Sequence, residues 1–490
     1  MKTSPTPPIG RPFSRIMANY KMIRLFFVAI CNLAALHVSA KTIDITELGA
    51  KGDGKTDNTA IIQQAIDHCG SGTIVIPEGN FVTGPIFIRS GISIYLKNGA
   101  TLSGITKLDI YRTVFSKLGP KHVPALIYGE NIEHVTIYGE GTIDGQGGDA
   151  AFQLGDDSKT GAIRPIMLYF RNSRDITIRD IHIRNSAYWV QKYELCDGVS
   201  LRGLTVHSHC NFNNDGIDIN GSSHVVIADC NIDTDDDALC FKSDTEEMSE
   251  NIVVTNCLLR SNCNGIKFGT GSNGGFRNIT VSNCALHKAS EENRRHWKQH
   301  FPWMKLTGDT TILSGIALEV VDGGLMDQVI VSNVTMRDVQ TPIFIRLGDR
   351  RRGAGNRVSA IRNISIHDVI ASSASALSSS ITGLPGHCVE NVHISNVQII
   401  SPGGVVQDQQ PRAVPENPAA YPENRMFGVL LPASGFYLRH VKNITFDNIR
   451  LQTLTPDSRP AFLLDDVSGF EDYRCSLNGE KAGVERVPNS

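Results

Sequence analysis

The sequence has no marked excess of charge of either sign. Its 490 residues include 47 Lys and Arg against 50 Asp and Glu, which gives a formal net charge of −3. Without a basic excess we do not expect nucleic acid as a partner, and without bulk charge we do not expect binding to a membrane surface. Apolar residues make up 41% and charged residues 20% of the chain, a balance typical of a soluble globular protein.

The sequence also has no apolar run long enough to span a bilayer comfortably. A short apolar run follows Lys21 and Arg24 and leads to small residues that end at Ala40, which is the layout of a secretory signal peptide. We therefore expect residues 1–40 to be a signal peptide and leader, cleaved near Ala40. The mature protein, residues 41–490, is expected to be a single domain that is secreted or periplasmic.

Two further patterns are missing: the CxxC pairs of cysteine zinc sites and a Leu-rich repeat consensus. A different short pattern recurs, namely Asn or Asp, an apolar residue, any residue and another apolar residue. Its first strand-like apolar residue, the index residue, falls at Val135, Ile176, Val199, Val225, Ile252, Ile279, Val329, Ile364, Val392 and Ile444.

This repeat predicts an all-β fold. Alternation with period 2 and β-branched residues indicates strands, and steps that cluster in the twenties are typical of a solenoid. We predict a parallel β-helix with three short strands and three turns per coil, stacked about 4.8 Å apart. The steps of 50 and 52 residues, from Ile279 and from Val392, hold either an extra coil or a loop insertion.

Two columns of the repeat predict how the coils stack. Asn or Asp stands four residues after most index residues, at positions 180, 229, 256, 283, 333, 368, 396 and 448. Because these residue types tolerate left-handed turns, we predict an internal turn ladder. The next position carries Cys230, Cys257 and Cys284, spaced 27 residues apart. We predict that these thiols are buried and stacked without forming disulfides.

The ends and interruptions of the repeat predict a cap and two loops. Residues 56–58, Thr-Asp-Asn, can begin a helix whose apolar stripe runs from Ile61 to Ile66. Such a helix would plug the open end of the solenoid, where strand edges are otherwise exposed. The repeat lapses near 290–311 and again near 403–426, where we predict loop insertions.

Three consecutive carboxylates, Asp235 to Asp237, fall where one coil turns into a strand. Allowing for turns of different length, the repeat predicts one polar column of Asp215, Asp236, Asp237 and Asn264. Such a cluster suits glycoside hydrolysis, since one carboxylic acid protonates the leaving oxygen and another carboxylate activates water. Crowding raises at least one pKa and so keeps an acid protonated. A Ca²⁺ site and a solvated turn remain open as alternatives.

Five stretches carry a more specific pattern; they read GAKGDGKTDNTAIIQQAI, GEGTIDGQG, NNDGIDI, TDDDALCFKS and CNGIKFGTGSNGGFRNITVSNC. Together they resemble glycoside hydrolase family 28, the polygalacturonase and rhamnogalacturonase-like family, over roughly residues 42–290. The resemblance implies a right-handed parallel β-helix and an inverting hydrolysis of pectin or rhamnogalacturonan in plant cell walls. It also implies that Asp236 is the general acid and that Asp215 and Asp237 position and deprotonate the water.

The chain departs from the family pattern near these residues. Asn214 and Asp235 stand where the family has Thr and Gly, and Asn264 stands where Gly-His-Gly has its His. The Arg-Ile-Lys pattern, associated in polygalacturonases with a galacturonate carboxylate, is replaced by a stretch that contains Glu319. We therefore expect poor activity on unbranched polygalacturonic acid. We expect better activity where the neighbouring sugar is neutral or the uronate is modified.

Six residues are candidates for contact with the sugar: Asn214, Lys242, Asn264, Lys267, Glu319 and Arg346. Of these, Lys267 or Arg346 would supply the missing cation. We expect a monomer that binds a polysaccharide or oligosaccharide and needs no metal or other cofactor. Two alternatives stay open: a polysaccharide lyase, which shares the fold and uses Ca²⁺ with a basic residue, and a non-catalytic glycan-binding β-helix.

Overall fold

The computed structural model describes residues 1–5, 41–120, 122–154, 163–290, 312–353, 356–407 and 413–488. The cleavage site predicted at Ala40 and nearly all of the predicted insertion at 290–311 lie outside these residues. Thr42–Ser490 forms one compact unit. Among the described residues, no helix is long and apolar enough to cross a membrane.

Strands dominate this unit, and two α-helices and two short 3₁₀ helices accompany them. The helices are α1 (Thr59–Cys69) and α2 (Leu108–Ser116), and the 3₁₀ helices are Ile45–Leu48 and Ala150–Phe152. The strands are β1 (Lys41–Asp44), β2 (Asp53–Asp57), β3 (Gly72–Ile76), β4 (Gly79–Thr83), β5 (Ile86–Phe87), β6 (Ile92–Leu96), β7 (Ala100–Gly104), β8 (Ala125–Glu130), β9 (Glu133–Gly139), β10 (Thr142–Asp144), β11 (Ile166–Arg171), β12 (Arg174–Arg179), β13 (His182–Arg184), β14 (Gln191–Glu194), β15 (Asp197–Arg202), β16 (Thr205–Ser208), β17 (Ile217–Asn220), β18 (Ser223–Ala228), β19 (Asn231–Thr234), β20 (Leu239–Ser243), β21 (Ser249–Thr255), β22 (Leu258–Ser261), β23 (Asn264–Ser272), β24 (Gly275–Lys288), β25 (Ile312–Val320), β26 (Leu325–Leu347), β27 (Ala360–Ser373), β28 (Ser379–Thr382), β29 (Val389–Gly403), β30 (Phe436–Thr455), β31 (Phe462–Tyr473), β32 (Ser476–Leu477), β33 (Glu480–Lys481) and β34 (Val484–Arg486).

The strands form three parallel sheets that wind into a right-handed β-helix, as predicted. One coil passes from β17 through β18 and β19 to β20, and each of these strands pairs with its counterpart in the next coil. The sheet that contains β8, β11, β14, β17, β20, β23 and β25 is called the third sheet below. The later strands are long because they bend from one sheet into the next.

The index residues pair in register from coil to coil, which confirms the predicted repeat. Ile279 pairs directly with Val329, and Val392 pairs directly with Ile444. The steps of 50 and 52 residues are therefore single coils with insertions, and neither hides an extra coil. The index residues are buried in one continuous apolar core, so the register is fixed because a slip of one residue would turn that column outward.

The predicted turn ladder exists, but it lies on the surface and not inside. All eight Asn and Asp residues have positive φ, from 53° to 61°, in the left-handed region that these side chains tolerate. Seven of them are exposed and Asn448 is half-buried. Their side chains hydrogen-bond along the solenoid, for example from Asn256 to Asp229 (3.2 Å) and from Asn448 to Asn396 (2.9 Å). The apolar residues on either side of each turn fill the interior, which leaves the turn residue facing solvent.

The cysteine column and the N-terminal cap are found where the sequence predicted them. Cys230, Cys257 and Cys284 are free thiols, each at most 3% exposed, and the thiol of Cys257 donates to the carbonyl of Thr255 (3.3 Å). Helix α1 begins after Asn58 and buries Ile62, Ala65 and Ile66 in the main core. It therefore covers apolar surface at the first coil, as expected for a plug.

Candidate functional site

The candidate site lies on the outer face of the third sheet. The register of β17, β20 and β23 aligns Asp215, Asp237 and Asn264 in one column across three coils, since each stands two residues before a paired position. The main chain holds the column together. The N–H of Gly216 donates to the carbonyl of Asp237, and the N–H of Ala238 donates to the carbonyl of Asn264, both at 2.9 Å.

Next to this column is a cavity of about 340 Å³, a volume within the range of small-ligand sites. Its lining is strongly charged, with both signs represented. It is lined by Tyr188, Trp189, Asn213, Asp215, Asp236, Asp237, Lys242, Asp244, Lys267, Thr270, Gly271, Asn273, Asp322, Arg350, Arg352 and Tyr421.

The three consecutive carboxylates have different surroundings. Asp235 is buried and accepts a hydrogen bond from the side-chain amide of Asn262 (3.1 Å). Asp236 and Asp237 line the cavity, and the N–H of Asp237 donates to Oδ1 of Asp236 (2.9 Å). The repulsion expected between neighbouring charges is relieved because each carboxyl group meets different partners.

Asp237 is surrounded by hydrogen-bond donors and cations. The side-chain amide of Asn264 donates to its Oδ1 at 2.7 Å, and the main-chain N–H of Asn264 donates to the same atom at 3.2 Å. The ammonium group of Lys267 lies 3.4 Å from its Oδ2. Burial alone would raise the pKa of Asp237, but Lys267, Lys242 and Asn264 hold this pKa below its usual range.

Asp236 is shifted in the opposite direction. Burial first, and then the nearby carboxylates of Asp215 and Asp237, raise the pKa of Asp236 well above its usual range. Two adjacent carboxyl groups thus differ in protonation, with Asp236 carrying a proton while Asp237 is ionised. Such a pair of environments separates an acid from a base within one site.

Asp215 is paired with a buried cation. The ammonium group of Lys242 lies 3.0 Å from Oδ2 of Asp215 and 2.8 Å from Oδ1 of Asp218, and it also lies 4.8 Å from the centre of the Trp189 ring. Burial raises the pKa of Asp218 to about 7 and also raises that of Asp215, although Lys242 opposes both shifts. The carboxylates in turn raise the pKa of Lys242 well above its usual range, against the effect of its own burial.

Two thiols lie among these carboxylates, and they offer metal-ligating atoms. Cys263 lies within 4.8 Å of carboxylate oxygens of Asp236 and Asp237, and Cys240 lies within 4.8 Å of those of Asp215 and Asp218. Burial and the neighbouring carboxylates raise the pKa of both thiols well above the usual range. Each thiol would have to release its proton before its sulfur could bind a metal ion.

The structure places the charges of Lys267 and Glu319 differently from what the sequence led us to expect. Glu319 is 1% exposed and lies beneath Lys267, whose ammonium group is 3.8 Å from its Oε2. Burial raises the pKa of Glu319 to about 8, so this group is largely neutral at pH 7. Glu319 was expected to repel a uronate. The residue that lines the cavity here is instead Lys267, because Glu319 is buried.

Asn214 and Arg346 lie apart from the cavity lining. Asn214 is fully buried, and its amide donates to the carbonyls of Ser186 (3.0 Å) and Tyr188 (2.7 Å). Arg346 is also fully buried and donates to the carbonyl of Glu416 (2.8 Å). Both side chains thus support neighbouring loops, and we withdraw the expectation that Arg346 supplies a cation to the substrate.

Several cavity residues were missed by sequence reasoning. Tyr188 and Trp189 stack on each other directly before β14, and Arg350 forms a two-pronged ion pair with Asp322 (2.8 and 2.5 Å). Tyr421 reaches Lys267 across 154 positions of sequence, with its hydroxyl 3.4 Å from the ammonium group. The aromatic pair before β14 was the only recognisable signal, since the other residues lie in aperiodic loops.

Comparison with known proteins shows similarity to one family over part of the chain. The model of glycosyl hydrolases family 28 matches residues 68–296. The chain is 28% identical over 253 residues to an exo-poly-alpha-D-galacturonosidase of Dickeya chrysanthemi, covering 41% of this chain and 42% of that protein. It is 29% identical over 213 residues to an endo-polygalacturonase of Pectobacterium carotovorum subsp. carotovorum, covering 39% of this chain and 53% of that protein. The chain thus spans about half the length of the curated relatives it matches.

A similar fold occurs in solved structures. The hyperthermoactive exopolygalacturonase from Thermotoga maritima aligns with a TM-score of 0.60 and 23% sequence identity, over 74% of this chain and 87% of that one. At this identity the likeness concerns the fold. The predicted parallel β-helix is confirmed, and the match over residues 68–296 confirms the predicted resemblance to this family of glycoside hydrolases.

Proposed function

Because residues 68–296 match the model of glycosyl hydrolases family 28, we propose that the chain hydrolyses glycosidic bonds of a pectic polysaccharide. The observation that carries this proposal is that Asp236 and Asp237 line one cavity while their surroundings shift the two pKa values in opposite directions, upward for Asp236 and downward for Asp237. General acid–base hydrolysis needs one group that holds a proton and another that has lost it.

In this mechanism Asp236 donates its proton to the glycosidic oxygen as the bond to the leaving sugar breaks. Asp237 and Asp215 position a water molecule, and the ionised carboxylate accepts its proton as the water attacks the anomeric carbon. Attack from the face opposite the leaving group inverts the configuration at that carbon. Asn264 and Lys267 support the reaction by keeping Asp237 ionised.

The charges of the cavity favour a uronate next to the cleaved bond. Lys267, Arg350 and Arg352 line the cavity, and a uronate carboxylate that leaves water needs such a partner. Glu319 weakens Lys267 little at neutral pH, because its own pKa is about 8. We therefore replace the expectation of poor activity on plain polygalacturonic acid by the proposal that galacturonate-containing pectin is the substrate.

The two alternatives fit the cavity less well. A lyase of this fold requires a Ca²⁺ that bridges the carboxylates to the uronate. Here the ammonium group of Lys242 already occupies the space between Asp215 and Asp218. A non-catalytic glycan-binding protein would have no use for the half-buried carboxyl group of Asp236, because crowding it beside two others costs stability.

The test is hydrolysis of a panel of pectic substrates, with polygalacturonic acid, rhamnogalacturonan and their oligosaccharides compared. We expect new reducing ends, and NMR recorded in the first minutes should detect the inverted anomer before mutarotation. The Asp236→Asn variant should lose about 10²–10⁴-fold in turnover, since it lacks the proton donor. A product with ultraviolet absorption of an unsaturated sugar would indicate a lyase instead.

Asp235→Asn is the matched control, since its carboxyl group is adjacent in sequence but hydrogen-bonds to Asn262. An Asn at 235 retains the accepting oxygen, so turnover should stay near that of the parent. A folded Asp236→Asn enzyme with near-parental turnover would refute the role of Asp236. We also propose that the protein is exported with cleavage near Ala40, which N-terminal sequencing of protein from the medium or periplasm would test.

A further inference from the structure

The outer face of the third sheet is covered directly beyond Lys267. The strand register places Ala317, Phe344 and Tyr437 at the positions that Cys240 occupies in β20 and Lys267 occupies in β23. In β20 and β23 these outward positions lie next to the charged cavity. In the following coils they carry these three apolar side chains, with Ser380 between Phe344 and Tyr437, and all four residues are at most 1% exposed.

Residues 413–435, called here the covering segment, bury this apolar surface. Phe427, Leu431 and Ala433 of the covering segment form an apolar cluster with Ala317, Phe344 and Tyr437 of the sheet. Its members are at most 3% exposed. Burial of this kind makes the covering segment a fixed part of the fold, because lifting it would return the whole cluster to water.

Buried arginines fasten the same segment by its main chain. Arg439 donates to the carbonyls of Val414 (2.7 Å) and Pro415 (2.9 Å). Arg346 donates to the carbonyls of Glu416 (2.8 Å) and Asn417 (3.3 Å). Both arginines stand on the outer face of the sheet and are at most 3% exposed. Lifting the segment would leave two buried cations without these acceptors, which is costly.

Farther along the segment, Asn424 ties the chain to the sheet and Tyr421 reaches the cavity. The amide of Asn424 donates to the carbonyl of Leu313 (2.9 Å) and to the hydroxyl of Thr341 (3.1 Å), which fixes the chain beside β25. Tyr421 lines the cavity with 59% of its surface exposed, and its ring centre lies 5.3 Å from the ammonium group of Lys267. Tyr421 therefore forms the end wall of the cavity on this side.

The opposite end of the cavity is covered as well. The outward positions before Asp218 are Lys192, Tyr169 and Tyr128 in successive coils, and each is at most 7% exposed. An apolar cluster of Phe115 from α2 with Tyr128 and Tyr169 lies there, and Trp189 packs against it. Trp189 also lines the cavity, so it forms the second end wall.

Within the part of the chain that the structure describes, the cavity opens over β17, β20 and β23, between Trp189 and Tyr421, and Asp322, Arg350 and Arg352 line it past the ends of β25 and β26. Neighbouring parallel strands are about 4.8 Å apart, so the outer two of these strands are separated by about 10 Å. A polymer that continued in both directions along the solenoid would meet an aromatic end wall on either side. A chain end meets only one of them.

We infer that the enzyme acts on chain ends and short oligosaccharides and does not cut within long chains. The aromatic walls, and the covering segment behind Tyr421, set this limit. The inference rests on the proposed hydrolysis of pectic bonds. It names the mode of attack, which the family does not decide, because the relatives described above include both an exo-acting and an endo-acting enzyme.

The test follows the viscosity of polygalacturonic acid together with the number of reducing ends released. Attack on chain ends should leave the viscosity nearly unchanged while reducing ends accumulate, with one small product size from the first time point onward. An early collapse of viscosity with a ladder of intermediate sizes would overturn the inference and leave the proposed hydrolysis standing. Absence of any new reducing ends across the pectic panel would overturn both.

A pair of variants tests the end wall itself. Tyr421→Ala should raise KM for a short oligosaccharide by about tenfold, the effect of losing one aromatic contact with the sugar. It should also allow some intermediate products from longer chains. Tyr473→Ala is the matched control, since Tyr473 is similarly exposed, at 52%, but lies in β31 on a different part of the solenoid. Equal kinetics and equal products for parent and Tyr421→Ala would refute the role of this wall.

Discussion

The hydrogen bond from Asn264 to Asp237 gives the sharpest test of how the site holds its base ionised. The amide donates at 2.7 Å to Oδ1 of a buried carboxylate, and Leu has nearly the same shape but no donor. In Asn264→Leu the main-chain N–H at 3.2 Å and Lys267 remain, so the carboxylate keeps partners and the coil should stay folded. The variant therefore isolates one charge-assisted hydrogen bond.

The expected magnitude follows from the charge on the acceptor. A hydrogen bond to an ionised group contributes about 1.5–3 kcal/mol. Each 1.36 kcal/mol corresponds to one pH unit in a pKa, so we expect the acidic limb of the kcat/KM profile to move up by about one to two pH units. The bond is short and buried, and this geometry favours the upper part of that range.

The pH dependence carries a sign that a purely structural defect would not reproduce. Asn264 is one of the groups that lower the pKa of Asp237, so its removal raises that pKa. The base then becomes protonated at a higher pH, and the acidic limb of the profile of kcat/KM should move upward. The loss of activity should consequently be larger at low pH than at neutral pH.

Asn262→Leu is the control for this experiment. Asn262 makes the equivalent bond one column away, donating to Oδ1 of Asp235 at 3.1 Å, and it too is buried. Its replacement disturbs the same two coils but should leave the acidic limb in place. The reasoning fails if Asn264→Leu keeps the parental limb, or if Asn262→Leu moves the limb by the same amount.

Two further predictions concern the buried lysine and metal ions. Lys242→Met leaves Asp215 and Asp218 without their cation, which should cost about 3–5 kcal/mol of unfolding free energy at neutral pH. Both carboxyl groups have raised pKa values in the folded state, so their effect on stability becomes less favourable as pH rises from about 4. Urea unfolding of the variant should therefore detect a smaller loss of unfolding free energy at pH 4.5 than at pH 7.5. Lys442→Met, at an exposed lysine, should change stability by no more than about 0.5 kcal/mol. Turnover should survive EDTA, and a loss restored by Ca²⁺ would favour the lyase.

The fold could be predicted from sequence because each coil of a solenoid contacts only the neighbouring coils. Each coil repeats the same short pattern, so the register between Val225 and Ile252, or between Ile252 and Ile279, follows from spacing alone. The Asn and Asp ladder was predicted for the same reason, as left-handed turns restrict the residue types. Its exposure was not predicted, because the pattern fixes the backbone of a turn but not the side on which its side chain emerges.

The candidate site was predicted only in part. Asp215, Asp237 and Asn264 could be aligned because they stand at equal distances from paired strand positions. The burial of Glu319 could not, since the register shifts between Phe241 and Ser243 as β20 meets β23. The contribution of Tyr421 could not be predicted for another reason. Its loop contacts Lys267 across 154 positions of sequence, and such a contact follows no repeat.

In the proposed function, Lys267 takes the place of the family's basic pair as the cation that meets a uronate, and it does so from a different strand. Lys267 extends from β23, the strand whose coil also supplies Asn264, and its ammonium group contacts both Asp237 and the cavity. One cation therefore lowers the pKa of the base and faces the substrate. A uronate bound at Lys267 would share that charge with Asp237, so substrate binding and the ionisation of the base are coupled through a single side chain. In a site with a separate basic pair, the two tasks would fall to different residues.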